Sequence, residues 1–280
     1  MKSKELIKIG ANELKINQIK TSKLDAEILL SSVFKKNREE ILINPPDKIN
    51  DKMIDLYKQL IKRRSQNEPI AYILKKKEFW SKDFEVGVGA LIPRPETELM
   101  VEELVKIFKN KSIFVLDVGT GSGCILISLL SELEKSKGIG IDISNFSILL
   151  AKKNVKKHNM TSKIKIEKKK ISDFYNKRFD LIVSNPPYVK SNEIKWLDKD
   201  IKNFEPLIAL DGGNDGLDVI KKVIYKAKEI LKLNGLLSLE IGNGQYQKVS
   251  EILKKNNFRI KYIVKDYKDN RRCLISNLLK

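Results

Sequence analysis

The order of apolar runs between residues 113 and 277 constrains the fold of this 280-residue chain more than any other feature. Five runs of strand length, Ile113 to Val118, Gly138 to Ile143, Ile164 to Glu167, Phe179 to Ser184 and Leu236 to Ile241, carry mostly Ile, Val and Leu. Stretches of helical period lie between them, for example Ile125 to Leu133, Ser147 to Lys157 and Leu217 to Leu231. Strand and helix in alternation predict an α/β domain, a mostly parallel sheet with helices on both faces. Two more runs, Phe258 to Lys265 and Arg272 to Asn277, follow each other across a gap too short for a crossover helix. That pair is expected as an antiparallel hairpin at one edge.

The chain ahead of this region reads differently. Ser22 with Asp25 has the look of a capping box before Leu24, Ile28, Leu29, Val33 and Phe34. After the break Asn44-Pro45-Pro46-Asp47, a second apolar stripe runs through Met53, Ile54, Tyr57, Leu60 and Ile61. Phe79, Trp80, Phe84, Val86 and Val88, with polar residues between, suggest a short hairpin that ends near Pro93 and Pro95. The expected organisation is a helical domain over 1–75, a hairpin linker over 76–95 and the α/β domain over 96–280.

Hydrophobic residues at 41% are enough for a core, and no apolar run approaches the length of a membrane span. The first thirty residues hold Lys and Glu throughout and contain no signal-peptide apolar core. Cys124 and Cys273 are far apart, without a CxxC, which excludes a disulfide scaffold and a zinc module and fits a reducing cytoplasm. The formal charge of +19 favours acidic partners, yet only 8 of the 55 basic residues are Arg. Arg is the usual residue for bidentate phosphate and base contacts, so the charge alone does not argue for nucleic acid.

Asp117-Val118-Gly119-Thr120-Gly121-Ser122-Gly123 follows the first strand of the sheet and opens a helix. Glycines there allow a sharp turn and the close approach of a ligand, at the sheet end where open α/β folds bind theirs. Asp142 ends the next strand, 19 residues after Gly123, where a carboxylate can accept from both ribose hydroxyls. The spacing is GxGxG, without the third glycine of the dinucleotide fingerprint. Asp117 suits the cationic methionine end of S-adenosylmethionine and would repel a pyrophosphate. S-adenosyl-L-methionine is therefore the expected cofactor, with Gly119, Thr120, Gly121, Ser122, Gly123 and Asp142 around it. After the third strand, Asp173 can accept from an adenine amino group and Phe174 can cover the ring.

Asn185-Pro186-Pro187-Tyr188 closes the fourth strand. Two prolines in series stiffen the segment and end the ladder. The Asn side chain and the following carbonyl are both acceptors, so together they can hold an NH2 group by its two hydrogens. The nitrogen of an amide or exocyclic amine is conjugated and a poor nucleophile. Holding both hydrogens points its electron density at a methyl group for in-line displacement, the reacting atoms roughly 3–3.5 Å apart. Tyr188 offers an apolar face to the planar group. Asn185, Pro186 and Tyr188 are the expected catalytic residues, and Asn185 to Tyr188, with Pro187, the expected substrate contacts.

A parallel sheet with an antiparallel last strand is the arrangement of class I methyltransferases, and the sequence resembles one of their families along nearly its whole length. The motifs, in order, are Glu68-Pro69-Ile70-Ala71-Tyr72-Ile73, Glu78-Phe79-Trp80, Ile92-Pro93-Arg94-Pro95-Glu96-Thr97-Glu98, the glycine loop, Ser184-Asn185-Pro186-Pro187-Tyr188, Glu205-Pro206 with Ala209-Leu210-Asp211-Gly212-Gly213, and Leu239-Glu240-Ile241-Gly242. They resemble the protein glutamine N5-methyltransferases that modify peptide chain release factors. The resemblance implies a Rossmann-like seven-stranded mixed sheet, a small all-α N-terminal domain that engages the release factor, and methylation of the glutamine in its Gly-Gly-Gln loop. It implies cofactor contacts from Gly119 to Gly123, Asp142, Phe174 and Asn185, with the substrate glutamine held by Asn185 to Tyr188. It also leads one to expect a glycine in the turn at 75–77, where this chain has three Lys. Glu205-Pro206 and Gly212-Gly213 are expected to shape a loop over the active site. A cytoplasmic monomer that needs no metal, no membrane and no nucleic acid is the matching expectation.

The nearest alternative is an N6-adenine methyltransferase acting on DNA or RNA, whose acceptor NH2 poses the same problem but demands base flipping. A protein that keeps the fold only for docking is a third possibility, against which the intact glycine loop, Asp142 and Asn185 argue. His158, the only histidine, follows Lys156-Lys157 and is expected as a cation near a helix C-terminus. Glu240, at the end of the fifth strand, is either a buried supporting acid or a strand-end charge.

Overall fold

A computed structural model describes residues 2–46, 49–176 and 178–279, so Asp47 of the predicted break lies outside the described residues. The chain divides into two units: residues 1–75 with Asp198–Phe204, and 76–197 with 205–280.

The first unit is helical, with α1 (Ser3–Ile16), α2 (Ser22–Phe34), α3 (Arg38–Ile43), α4 (Asp51–Ser65) and α5 (Ile70–Leu74). The predicted stripes meet in one core, where Leu29, Leu30 and Val33 of α2 pack with Tyr57 and Ile61 of α4 and Leu6 and Leu14 of α1. Asn50 caps α4 by accepting from the Met53 backbone N–H. The capping box expected at Ser22 is absent: Thr21 is the N-cap and makes no side-chain bond. Asp25 instead accepts from Arg64 Nε at 2.7 Å, both groups being buried. A carboxylate one turn into a helix serves either purpose, and here a guanidinium from α4 claims it. At the end of α5 Lys75 takes φ 56°, the left-handed conformation for which the family resemblance led one to expect glycine.

The second unit opens with an antiparallel hairpin, β1 (Lys76–Phe79) and β2 (Lys82–Glu85), which turns on Trp80 and Ser81, both at positive φ. Then follow α6 (Pro95–Phe108), β3 (Phe114–Val118), α7 (Cys124–Glu132), β4 (Lys137–Asp142), α8 (Asn145–Lys157), β5 (Ile164–Lys168) and β6 (Phe179–Ser184). After α9 (Lys199–Phe204), which groups with the first unit, come α10 (Asp218–Ile230), β7 (Leu231–Glu240), α11 (Tyr246–Lys255), β8 (Phe258–Lys265) and β9 (Arg271–Leu278).

The sheet runs β5-β4-β3-β6-β7-β9-β8, parallel through β7, with β9 inserted antiparallel between β7 and β8. This is the class I methyltransferase arrangement. Period-two alternation sorts the strands between two cores. Val115, Leu181 and Val183 face Met100, Leu104, Leu126 and Leu130 of α6 and α7. Leu116, Ile182 and Leu237 face Ile220, Ile224, Val249 and Leu253 of α10 and α11. The result is a sheet rigid enough to fix whatever its strand ends carry.

His158 caps the C-terminus of α8, where the sequence puts it, but its surroundings disfavour the cation. Its ring packs on Phe84 at 4.8 Å between centroids, and Nε2 lies 3.2 Å from the Asp83 carbonyl. Burial holds its pKa below the ordinary value, with Lys157 and Lys82 adding to the depression and the Asp83 carbonyl opposing it. The imidazole packs against the hairpin, and its charged form is disfavoured there. Among the described residues no helix is long and apolar enough to cross a membrane, and no cluster of three or more His, Cys, Asp or Glu side chains could hold a metal.

Candidate active site

The predicted residues lie at or just beyond the carboxyl ends of four adjacent strands, β5, β4, β3 and β6. Val118 and Ser184, the last residues of β3 and β6, pair in the sheet, and Ser184 Oγ donates to the Val118 carbonyl at 2.7 Å. The glycine loop and Asn185 therefore leave the sheet side by side.

The loop is built from beneath. Gly119 and Thr120 both donate backbone N–H groups to the Ile141 carbonyl at 2.9 Å, which folds the loop over β4. Thr120 Oγ1 donates to Asp117 Oδ2 at 2.6 Å. Gly140 in β4 makes room for this hydroxyl, since a Cβ there would lie 2.8 Å from it. Gly121 N donates to Asp142 Oδ2 at 3.0 Å, and Ser144 N donates to Oδ1 at 2.9 Å, so the acid is held by one N–H on each oxygen. Each oxygen keeps a further lone pair for a ligand hydroxyl.

Within the loop the residues divide by task. Gly119 and Gly121 have φ of 73° and 55°, and a Cβ on either would meet nothing closer than 4.0 Å. Protein atoms leave that side open, as a cradle for a ligand requires. Gly123 is crowded: a Cβ would stand 3.2 Å from Ile127 Cδ1 and 3.5 Å from Ala151 Cβ, so this glycine lets α7 pack against α8. Thr120 and Ser122 are buried. Asn154 of α8 braces the loop from behind, donating to the Ser122 carbonyl at 2.9 Å while pairing with both backbone groups of Glu85.

Asp117 is wholly buried, and its Oδ1 finds no hydrogen-bond partner. Burial pushes the carboxyl up to about 7, the Thr120 hydroxyl opposing and the nearby Asp142 adding to the rise. An orphaned acid beneath an open glycine cradle fits a ligand that brings a cation, and Asp142, with a lone pair free on each oxygen, fits a nucleoside. The residues present thus fit S-adenosylmethionine.

Asp173 and Phe174 follow β5, and both are engaged by the protein itself. Asp173 Oδ2 accepts from the Lys170 backbone and Oδ1 from Ser172 Oγ, closing its own turn. Phe174 is only 4% exposed; it packs edge-on against Phe179 and lies beneath the Arg178 guanidinium at 5.0 Å. Its ring is a core residue with little surface to offer an adenine.

At the acceptor side, Asn185 Nδ2 donates to Thr97 Oγ1 at 3.2 Å, and Thr97 Oγ1 donates to Glu240 Oε2 at 2.6 Å. Tyr188 donates its hydroxyl to Glu240 Oε1 at 3.3 Å. Burial raises the Glu240 carboxyl to about 6; the Thr97 and Tyr188 hydroxyls and the Arg272 charge hold it from rising further. Burial and Glu240 together raise the Tyr188 phenol, which stays a donor. Pro186 is buried, and the far end of the segment is clamped by Gln245, whose Nε2 donates to the Tyr188 carbonyl at 2.9 Å and to the Gly216 carbonyl at 3.2 Å. The segment after Tyr188 pairs with 210–213, through Val189 N to the Leu210 carbonyl and Gly212 N to the Val189 carbonyl. Glu205, buried, accepts from Arg94 at 2.6 Å and from the Ile92 backbone at 3.2 Å, tying two of the distinctive sequence segments together.

Sequence reasoning does not single out Thr97, Gln245 or Asn154, and it leaves Glu240 between a buried supporting acid and a strand-end charge. The only signal was position: Thr97 lies in the IPRPETE segment and Glu240 at a strand end beside β6.

A model of the PrmC N-terminal domain matches residues 5–74, and one of the methyltransferase small domain matches 95–200. The release factor glutamine methyltransferase of Buchnera aphidicola is 39% identical over 93% of this chain and 94% of its own. A bifunctional methyltransferase of Rickettsia typhi is 36% identical over 97% of this chain, which spans 56% of that longer protein. Among solved structures, a methyltransferase from Pyrococcus furiosus shares the fold, with a TM-score of 0.55 at 19% identity over 78% of this chain and 98% of its own. With a PrmC N-terminal domain match followed by a methyltransferase match, and a 39%-identical relative covered over 94% of its own length, the chain belongs to the release factor glutamine methyltransferase family.

Proposed function

We propose that the protein methylates the side-chain amide nitrogen of the glutamine in the Gly-Gly-Gln loop of peptide chain release factors, with S-adenosyl-L-methionine as donor. The observation that carries this reading is the departure of the glycine loop and of Asn185 from paired residues, Val118 and Ser184. Donor cradle and amide acceptors thus share one strand-end boundary.

When bound, S-adenosylmethionine supplies an electrophilic methyl group on a sulfonium. Asp117 would hold its ammonium group, Gly119 and Gly121 would line its backbone-like portion, and Asp142 would take the ribose hydroxyls. Asp173 has lone pairs left for the adenine amino group, and buried Phe174 supports the turn that carries it. Asn185 Oδ1 and the following carbonyl accept the two hydrogens of the glutamine NH2, which turns its nitrogen toward the methyl. Tyr188, clamped by Glu240 and Gln245, flanks the planar amide, and Pro186 and Pro187 keep the acceptors from moving.

The helical unit would engage the release factor. A groove of about 450 Å³ there is lined by Lys4, Lys8, Lys15, Lys23 and one acid, Glu27, around Ile7 and Ala11, a balance that suits an acidic, partly apolar partner surface. We place the protein in the cytoplasm as a monomer without need of nucleic acid.

The test is incubation of the purified protein with labelled S-adenosylmethionine and unmodified release factor, followed by mass-spectrometric mapping, with DNA and RNA as parallel acceptors. One methyl on the Gly-Gly-Gln glutamine is expected. Label in nucleic acid alone would replace this reading by the adenine one. Asn185→Ala should bind S-adenosylmethionine and fail to transfer the methyl group, and wild-type turnover would remove Asn185 from its role.

A further inference from the structure

An asparagine carboxamide looks nearly the same in either orientation, but its two ends do opposite chemistry. Only the oxygen can receive a hydrogen of a glutamine NH2. If the amide were reversed, an NH2 would face an NH2, and the acceptor site would repel its substrate. Something must hold the side chain one way round.

The hydrogen bonds behind Asn185 settle which way. Glu240 ends β7 almost fully buried, and as a carboxylate it only accepts. The Thr97 hydroxyl, on the first turn of α6, has one proton and gives it to Glu240 Oε2 at 2.6 Å. The Thr97 oxygen can then only accept toward Asn185, so it must face the amide nitrogen, as it does at 3.2 Å. Asn185 Oδ1 is the atom left over. Tyr188 adds a second donor to the same carboxylate, and Arg272 on β9 favours its ionised form. Glu96 on α6 acts against that ionised form.

Resting on the reading of Asn185 as the glutamine acceptor, we infer that Thr97 and Glu240 are positioning residues for the reaction: they pass acceptor character from a buried carboxylate through one hydroxyl to Asn185, so that its carbonyl oxygen faces the substrate amide. Neither need touch substrate or cofactor. Their effect is to make the site selective for a neutral NH2 donor.

Thr97→Val keeps shape and burial but deletes the hydroxyl; Thr97→Ser keeps the hydroxyl and deletes a methyl. Each would be assayed for methyl transfer to an unmodified release factor, for S-adenosylhomocysteine binding by calorimetry and for thermal melting. The expected result is a kcat for Thr97→Val lower by about tenfold, the scale of one lost hydrogen bond. Its cofactor affinity should stay within about twofold and its KM rise little, and Thr97→Ser should recover wild-type kcat to within about twofold. Glu240→Gln, whose amide can donate toward Thr97 and so reverse the chain, should lose kcat in the same way. Wild-type kcat in Thr97→Val, or a Thr97→Ser no better than Thr97→Val, would overturn the inference. If Thr97→Val does not fold, the comparison of Thr97→Ser with Glu240→Gln decides, and two variants of wild-type turnover would overturn it. Failure of the wild-type protein to methylate any release factor would show that the underlying reading, and the inference with it, is wrong.

Discussion

Replacing Asp117 by Asn should stabilise the free protein and weaken its hold on the cofactor, with a pH dependence that identifies the cause. In the free protein the carboxyl is fully buried, bonded only at Oδ2, and raised from an ordinary 3.8 to about 7. Below pH 3.8 both folded and unfolded chains hold the proton, and ionisation costs nothing. Between 3.8 and about 7 the unfolded chain releases a proton that the folded chain keeps, so stability falls as pH rises; above 7 both are ionised and the loss is complete. Each pKa unit corresponds to about 1.36 kcal/mol, so raising the pH from 5 to 8 should open a gap of about 2–3 kcal/mol in favour of the variant. For a unit of this size that is a difference in Tm growing by roughly 5–10 °C. The assay is a melting series of both proteins at pH 5, 6, 7 and 8 without cofactor, in which all other titrations cancel. With S-adenosylmethionine present the gap at pH 8 should largely close, since the variant loses a charge-assisted contact worth about 1.5–3 kcal/mol, or roughly 10- to 100-fold in Kd. A Tm difference that does not change with pH would refute the argument. So would unaltered cofactor affinity.

Three other substitutions probe separate links of the chain. Gly121→Ala, at φ 55° on the open side of the cradle, should cost about 1 kcal/mol of stability and abolish measurable S-adenosylmethionine binding by calorimetry, because the methyl enters the ligand's space. Arg64→Ala should destabilise the helical unit by about 3–5 kcal/mol in urea unfolding, since it strands the buried Asp25 carboxylate. Lys75→Gly should raise stability by about 1 kcal/mol, seen as a higher urea midpoint, because glycine takes φ 56° without the Cβ clash.

The strands and principal helices were legible because their signal is local. Ile and Val in short runs, and apolar residues three and four apart, report burial on one face wherever the partner lies. The strand Phe179–Ser184 and the hairpin Phe258–Lys265 with Arg271–Leu278 fall within a residue of their sequence positions for that reason. What escaped depends on partners far along the chain. Thr97 is an ordinary residue of a helical first turn until Glu240, 143 residues later, is brought against it. Asp25 reads as a cap until Arg64, 39 residues on, claims its carboxylate. His158 reads as a cation until the hairpin's Phe84 and the Asp83 carbonyl cover it.

The same distinction explains where the chemistry sits. Crossovers to one side of β3 place β4 and β5, and crossovers to the other place β6 and β7, so the strand order reverses between β3 and β6. Ligands of open α/β sheets bind at such a reversal, because the loops there diverge and leave a crevice. Here the reversal also divides the labour. β3 and β4 carry Asp117, the glycine loop and Asp142, an array suited to a cationic nucleoside; β6 and β7 carry Asn185, Tyr188 and Glu240, an array suited to a neutral amide. A methyl donor and its acceptor must approach within contact distance yet be recognised by opposite polarities. The Val118–Ser184 pair, one residue before Gly119 on one side and before Asn185 on the other, brings the two arrays side by side.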